Sequence, residues 1–353
     1  MVGLFSNKKV QIFGVDVSSS AVKVLQLGKS GQTYKVEYYG IDSLPANAVV
    51  EKNITEVDRV SAAISNAVKK AGIKRKNAAI AVSGSAVITK TINMSSDLSE
   101  DEMEERLSLD ANQYIPYPIE EVSLDFNVLG PMEDNPAMSH VLIACSRSEN
   151  VEVCTEALEG AGLIPTIVDV ESFAIEASFN EMAKSLNLGE DEIVALFDIG
   201  ATTTTLHVMY KGRSIYTRDQ AFGGKQLTDE IMQRYGLSME EASLAKRQGG
   251  LPESYETEVL QSFKDSLVQQ ISRALQFFFS GTEFNNVDRI VLAGGTASIH
   301  DLDEMTSQQI GVPTQIANPV EGFELASRVD EMAMKEDAPA LMTVIGLAMR
   351  TFD

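Results

Sequence analysis

Two short stretches of this 353-residue chain pair one carboxylate with a run of hydroxyls. The clearer one is Asp198-Ile-Gly-Ala-Thr-Thr-Thr-Thr205. It follows the apolar run Ile193 to Phe197, which reads as a buried strand, and Leu206-His207-Val208 resume an extended pattern after it. The layout is strand, tight turn, strand. Backbone N–H groups around Gly200 and Ala201, with the hydroxyls of Thr202 and Thr203, form a donor set suited to phosphate oxygens. Asp198 beside them suits a hydrated Mg²⁺. A plain hairpin with a polar tip would carry the same residues, because short Gly/Thr motifs recur by chance.

Two other stretches favour the site reading. Gly14-Val15-Asp16-Val17-Ser18-Ser19-Ser20-Ala21-Val22-Lys23 repeats the layout, with Asp16 at the point matching Asp198 and Ser18, Ser19 and Ser20 as the hydroxyl turn. The chain therefore carries a weak internal repeat, and Asp16 is the second metal candidate. Lys23 could reach a phosphate as a point charge or face solvent on its strand. In Ile290-Val-Leu-Ala-Gly-Gly-Thr-Ala297 a buried strand runs into Gly294, Gly295 and Thr296 and then a helix. Glycines there let backbone approach a flat ligand near a helix N-terminus.

The elements that must hold these tips follow from periodicity. Val10 to Leu27 reads as the first hairpin, Thr33 to Ile41 as a third strand, and Leu44-Pro45 as the start of a loop. Val57, Val60, Ile64, Ala67, Val68 and Ala71 recur at helical spacing, and Gly72 ends that helix. Ala78 to Val82 is a short strand. The texture then changes over 85–165: an alternating strand from Val87, a helix opened by a Ser99/Glu102 capping box, a stop at Ile115-Pro-Tyr-Pro118, two strands, and a helix ended by Gly162. This block reads as a small α+β unit inserted into the first lobe. Thr166 to Val170 returns to that lobe, and a helix follows from Glu171 to Leu186. Leu188 to Glu192 is the hinge by pattern. In the second lobe, helices are predicted after Gly223-Gly224, at Ser238 to Gln248, over Tyr255 to Ser280, near Leu302 to Ile310 and over Ala338 to Phe352.

Composition bounds the function. A chain of this length buries more than one core, so two lobes are expected. Acids outnumber bases by 22, which argues against a nucleic-acid binder and fits solubility and basic partner segments. Cys145 and Cys154 suggest two buried thiols, not a disulfide framework, and His140, His207 and His300 are too scattered for a metal cluster. No signal peptide and no run of eighteen apolar residues is visible. Leu4 and Phe5 beside Lys8 and Lys9 could touch a bilayer or a partner, but Met1 to Lys9 reads better as a disordered lead.

Together the Asp16, Asp198 and Gly294-Gly295 motifs resemble the actin/Hsp70/FtsA class of nucleotide-binding proteins. The likeness is closer still to the PilM family of type IV pilus assembly. It covers nearly the whole chain, including Val168-Asp-Val-Glu-Ser-Phe-Ala174 and Phe222-Gly-Gly-Lys-Gln-Leu-Thr228. The resemblance implies an α/β, actin-like (Hsp70/FtsA) two-lobed ATPase fold. Its parts would be the first-lobe core 1–84, the inserted partner-binding subdomain 85–165, a return over 166–192, and the second lobe 193–353, with the final helix 338–353 crossing back. It implies ATP and Mg²⁺ as ligands. Asp16 and Asp198 would lie near the metal, Thr202 and Thr203 would donate to phosphates, and Gly294, Gly295 and Thr296 would line the nucleoside. Gly223, Gly224, Lys225 and Lys246 would lie on the nucleoside side. Asp169 or Glu171 would position the hydrolytic water, with Glu171 alternatively capping its helix.

The implied partners are the N-terminal cytosolic segment of the membrane protein PilN and other inner-membrane and motor proteins of the pilus. The protein would then be cytoplasmic, peripheral at the inner membrane. Ser18 departs from the pattern, where a glycine is common. The chain also stops at Asp353 without the basic amphipathic helix of FtsA proteins, so recruitment through a partner is expected in place of direct membrane insertion. An FtsA-like polymerising division protein and a small-molecule kinase of the same fold stand as alternatives.

Overall fold

Alternating apolar residues in the first 43 positions build three antiparallel strands: β1 (Phe13–Val17), β2 (Ala21–Ser30) and β3 (Thr33–Ser43). The structure is a computed structural model that describes residues 10–353 apart from Asn187 and Glu190, and the side chain of Asn112 is also not described. The lead Met1 to Lys9 and Glu190 of the predicted hinge thus lie outside the described residues. A two-residue-strand hairpin follows, β4 (Val49–Val50) and β5 (Asn53–Ile54), where the sequence reads as loop. Next come α1 (Val57–Ala71), ended by Gly72 in the left-handed region (φ 75°), and β6 (Asn77–Val82). After the insert, the chain returns through α3 (Ser148–Gly160), β10 (Ile164–Val170) and α4 (Glu171–Leu186).

The insert proper is a three-stranded sheet, β7 (Val87–Ser95), β8 (Val122–Pro131) and β9 (Met138–Arg147), in the order β7-β9-β8. Helix α2 (Glu100–Asp110) covers it, opened by the predicted Ser99/Glu102 capping box. Met103 and Leu107 of α2 pack on Ile92, Met94, Val141 and Ile143. Helix α3, inside the segment read as insert, packs instead on the first-lobe core, where Cys154, Ala157 and Leu158 meet Ile64, Ile80 and Phe13.

The second lobe contains β11 (Val194–Ile199), β12 (Thr204–Tyr210), β13 (Arg213–Gln220), β14 (Arg289–Ala293) and β15 (Thr314–Ile316). Helices α5 (Gly224–Tyr235), α6 (Met239–Gln248), α7 (Gln261–Gly281) and α8 (Leu302–Ile310) cover its outer face. The predicted helix from Tyr255 begins with a π-helical turn at Glu256–Leu260 before α7 becomes regular.

The two large sheets share one topology. The first is ordered β10-β6-β1-β2-β3, with β16 (Glu324–Leu325) added at its edge; the second is β13-β12-β11-β14-β15. In each, the central strand pairs antiparallel with its hairpin partner and parallel with the strand after the first crossover. The weak repeat in the sequence is thus a duplication of architecture. Asp16 sits opposite Lys23 in the first copy, and Asp198 opposite Thr205 in the second.

Between the sheets lies α4. Its Ile175, Phe179 and Met182 pack on Val194, Leu196, Met209 and Val291 of the second sheet. The chain re-enters the first sheet at β16, before the last helix. After α9 (Glu331–Asp337), the predicted terminal helix divides into a 3₁₀ turn at Ala338–Leu341, α10 (Met342–Met349) and a second 3₁₀ turn. Pro339 in the first turn lacks the N–H a regular helix would use. Val344, Ile345 and Ala348 of α10 then pack on Leu25, Leu27 and Val36. The approach is close: a Cβ on Gly346 would lie 1.8 Å from the Ala174 carbonyl oxygen, and one on Gly14 2.4 Å from that of Val344.

Candidate functional site

The duplicated hairpins turn their tips toward one cleft. Asp16, Val17, Ser18 and Ser19 line it from the first lobe, and Asp198, Gly200, Thr202, Thr203 and Thr205 from the second. Lys52, Ala81, Ser83, Glu171 and Thr343 complete the lining. Ser19 and Thr203, predicted from sequence to flank one ligand, share this space. The cavity is about 80 Å³.

Each tip is held by its own backbone. Ser18 N–H and Oγ both donate to the Ala21 carbonyl at 2.9 Å, closing the first turn. Gly200 N–H donates to the Thr203 carbonyl at 2.9 Å, closing the second. Outer elements then clamp the second tip. The N–H groups of Gly224 and Lys225, at the start of α5, donate to the carbonyls of Gly200 and Ala201 at 3.0 and 2.7 Å. Thr296 Oγ1 donates to the Gly200 carbonyl at 3.0 Å. Gly294, in the left-handed region at φ 86°, lies against Asp198; a Cβ there would stand 2.5 Å from Asp198 Oδ1 and 2.4 Å from the Ile199 carbonyl oxygen. Only glycine accepts both that φ and that contact.

The two aspartates differ because their partners differ. Asp16 Oδ2 accepts from Lys23 Nζ at 2.6 Å. Burial works to lower the Lys23 pKa, but Asp16 outweighs it and raises it. Asp198 has a threonine at the matching register and no cation in direct contact. Burial, with Glu171 nearby, pushes its carboxyl up to about 6. A buried acid among hydroxyls, with two more carboxylates lining the same space, fits a hydrated dication held through its waters. Among the described residues no three acidic, histidine or cysteine side chains converge closely enough to ligate a metal directly.

Glu171 and Asp169 go different ways. Glu171 lines the cleft, its Oε2 accepting from Lys52 Nζ at 2.9 Å and from Gly84 N–H at 3.5 Å. Burial would raise its pKa, but Lys52 prevails and holds it low. Asp169 is absent from the lining; its Oδ2 accepts from Arg350 Nε at 2.7 Å, tying the strand before α4 to the chain end.

The remaining predicted residues take these places. Ser20 is exposed at the first tip. Lys225 Nζ is bound by Asp229 at 2.7 Å on the surface. Lys246 Nζ donates at 3.0 Å to the Gly224 carbonyl and to Thr228 Oγ1, and burial, with Arg247 beside it, lowers its pKa. Gly223, Gly224, Lys246 and Thr296 therefore gather behind the second tip, next to Gly294 and Gly295, and outside the narrow part of the cleft.

Sequence reasoning missed Lys52, Ser83, Thr205, Asp219 and Thr343. Lys52 is the most consequential. It sits at the tip of the β4–β5 hairpin and reaches both lobes: 2.9 Å to Glu171 Oε2, 2.9 Å to Thr205 Oγ1 and 3.6 Å to Asp219 Oδ1. Nothing in Glu51-Lys52 identifies a turn, since two-residue hairpin tips favour Asn-Gly. Beneath this group lies His207, fully buried, with Nε2 unpartnered. Burial pushes its pKa down to about 4, so it is neutral.

Comparison with known proteins follows the same outline. Residues 14–352 match the family model described as type IV pilus assembly protein PilM. The solved PilM-PilN type IV pilus biogenesis complex contains a chain 27% identical to this one, with a TM-score of 0.79 over 98% of this chain and 99% of that one. The ethanolamine utilization protein EutJ from Carboxydothermus hydrogenoformans superposes with a TM-score of 0.55 at 16% identity, over 96% of this chain and 89% of that one. The cell division protein FtsA of Bacillus subtilis (strain 168) is 27% identical over 262 residues, which is 67% of this chain and 57% of that protein's length.

Proposed function

This chain belongs to the PilM family of type IV pilus assembly proteins and has the actin-like two-lobed ATPase fold, and on that premise we propose that it is an ATP-binding scaffold that holds the N-terminal cytosolic segment of PilN. The observation that carries the nucleotide half is the cleft itself. Two duplicated, hydroxyl-tipped turns face one another across it, each with an aspartate at its base. Ser18, Ser19, Thr202 and Thr203 would donate to phosphate oxygens. Asp16 and Asp198 would hold Mg²⁺ through water. The dication would neutralise phosphate charge beside these acids, which otherwise repel it.

Glu171, which lines the cleft where Asp169 does not, would orient a water there. The Gly223–Gly224 turn, Lys225, Lys246, Gly294, Gly295 and Thr296 would shape the nucleoside side. ATP acts in this reading chiefly as a ligand that biases the lobe arrangement, with slow turnover or none.

The partner half is supported by the likeness to the PilM chain of the PilM-PilN complex over nearly its full length. The segment 85–165 carries sixteen acids and three bases, a surface suited to basic segments of partner chains. Among the described residues no helix is long and apolar enough to cross a membrane. Association with the inner membrane through PilN, and links through it to other pilus proteins and the motor, complete the proposal.

Calorimetry tests both halves. Mg·ATP is titrated into the protein alone and with a synthetic PilN N-terminal peptide, and the peptide is titrated in turn. The reading requires saturable heats for both. Nucleotide binding without peptide binding, with phosphate transferred to a small sugar, would establish a kinase instead. ATP-dependent filaments on lipid would establish an FtsA-like polymer.

A further inference from the structure

We propose that Lys52 is a latch between the lobes, opened when a phosphate takes the lysine away from Asp219 and Thr205. This rests on the nucleotide reading above for its ligand, but the latch itself is a set of contacts within this chain. Lys52 belongs to the first lobe by chain connectivity, on a hairpin whose Val49 joins the first-lobe core. Glu171, its nearest anion, begins α4. Thr205 and Asp219 belong to the second sheet, and Thr205 Oγ1 in turn donates to Asp219 Oδ1 at 2.7 Å. One ammonium therefore joins elements 119 and 153 positions apart in sequence.

Three observations say that this contact is built. First, the Lys52 side chain is 18% exposed, so its charge is largely withdrawn from water. Second, Glu51 and Lys52 both adopt left-handed φ values, 49° and 64°, without being glycine. A two-residue hairpin turn takes positive φ at both central residues, so the β4–β5 ladder itself sets this geometry. Here it aims the lysine into the cleft. Third, the contact sits at the mouth of an otherwise apolar seam, where Ile175, Phe179 and Met182 of α4 meet the second sheet.

The cleft chemistry explains how the latch would open. Among the described residues Lys52 is the only cation in the lining of a space that also presents Asp16, Glu171 and Asp198, Lys23 being held on Asp16 beside it. A phosphate entering this space meets Lys52 in its wall. An ammonium has three donors; two are used on Glu171 and Thr205, and the third lies 3.6 Å from Asp219, beyond a good hydrogen bond. A phosphate oxygen offers that donor a closer and more highly charged acceptor. Lys52 can turn to it while keeping Glu171, exchanging a tie to the second lobe for a tie to the ligand.

The test separates the latch from the nucleotide reading. Spin labels on Lys69→Cys in α1 and Glu230→Cys in α5 report lobe spacing in the nucleotide-free protein. Lys52→Met is expected to lengthen and broaden that distance, and Lys52→Arg to keep it. Asp219→Asn weakens the tie but leaves Lys52 free for phosphate. Its association rate for a fluorescent Mg·ATP analogue is expected to rise about fivefold or more. An unchanged spacing in folded Lys52→Met protein overturns the latch, and so does an unchanged association rate in Asp219→Asn. If neither parent nor variant binds the analogue, the nucleotide reading fails, and the spacing measurement alone still decides the latch.

Discussion

Asp16 and Asp198 occupy the same place in two copies of one hairpin, yet only one is neutralised within the protein. Lys23 lies opposite Asp16, and Thr205 opposite Asp198. Burial and the neighbouring Glu171 disfavour the Asp198 carboxylate and push its pKa up to about 6. The sign of its pH effect follows. Its stability contribution is complete below the unfolded value near 3.8 and is lost as pH rises through 6, so its charge opposes folding at neutral pH. His207 runs the other way: its contribution is present above its unfolded value of 6.5 and is lost as pH falls through 4. Between pH 6.5 and 4 the two nearly cancel.

Asp198→Asn removes one side of that balance. The variant should be more stable than the parent at pH 7.5 by about 3 kcal/mol. It should lose stability on acidification at up to about 1.4 kcal/mol per pH unit. Denaturant melts at pH 7.5, 5.5 and 4.5 measure both, and calorimetry should show Mg·ATP binding abolished in the same protein. A second pair of variants separates the neighbouring acids. Asp169→Asn should weaken the fold by about 2 kcal/mol through loss of the Arg350 contact, leaving nucleotide affinity unchanged. Glu171→Gln should leave any slow turnover undetectable, read by phosphate release.

Among the elements, α10 does the most to join the molecule. It packs on α4, β1 and β2 together, and it adds Thr343 to the cleft. The crossing depends on glycine where backbones touch. Gly346→Ala puts a methyl into the Ala174 carbonyl, which belongs to α4's backbone and cannot rotate aside. Overpacking there should cost about 3 kcal/mol or more, measured by urea denaturation. Helix starts were readable in advance, since the Ser99/Glu102 capping box satisfies orphan amides from within four residues. The β4–β5 hairpin was not. Its strands are two residues each, and its tip lacks turn-forming residue types. The short ladder and the Thr55 hydrogen bonds to the Asn47 and Ala48 carbonyls hold the turn, and they leave no periodic signal.

In the molecule as a whole, two sheets of one topology are joined by α4, by the apolar seam on its inner face and by the returning chain at β16 and α10. Because the lobes share buried side chains, heat should unfold them in one transition. A ligand bound between them stabilises both at once. Mg·ATP at one hundred times its dissociation constant contributes about 2.7 kcal/mol, raising the melting temperature by about 4 °C. EDTA should erase that rise if the metal is held as argued, and scanning fluorimetry with and without chelator checks it.

Much of this was legible in linear order. Strand-turn-strand patterning, the acid at the end of each central strand and the hydroxyls after it are local features. Local hydrogen bonding and apolar periodicity specify them over ten or so residues. Their recurrence is the weak internal repeat, and the two sheets of like topology give it its structural meaning. Pairings across the cleft were not legible in this way. That Lys52 would meet Thr205, that Asp219 would join them, and that Asp169 would turn to Arg350 while Glu171 faced the cavity are settled by side-chain direction at an interface of segments far apart in the chain. Such contacts leave no periodic trace, because charge and burial select them only after both lobes have packed.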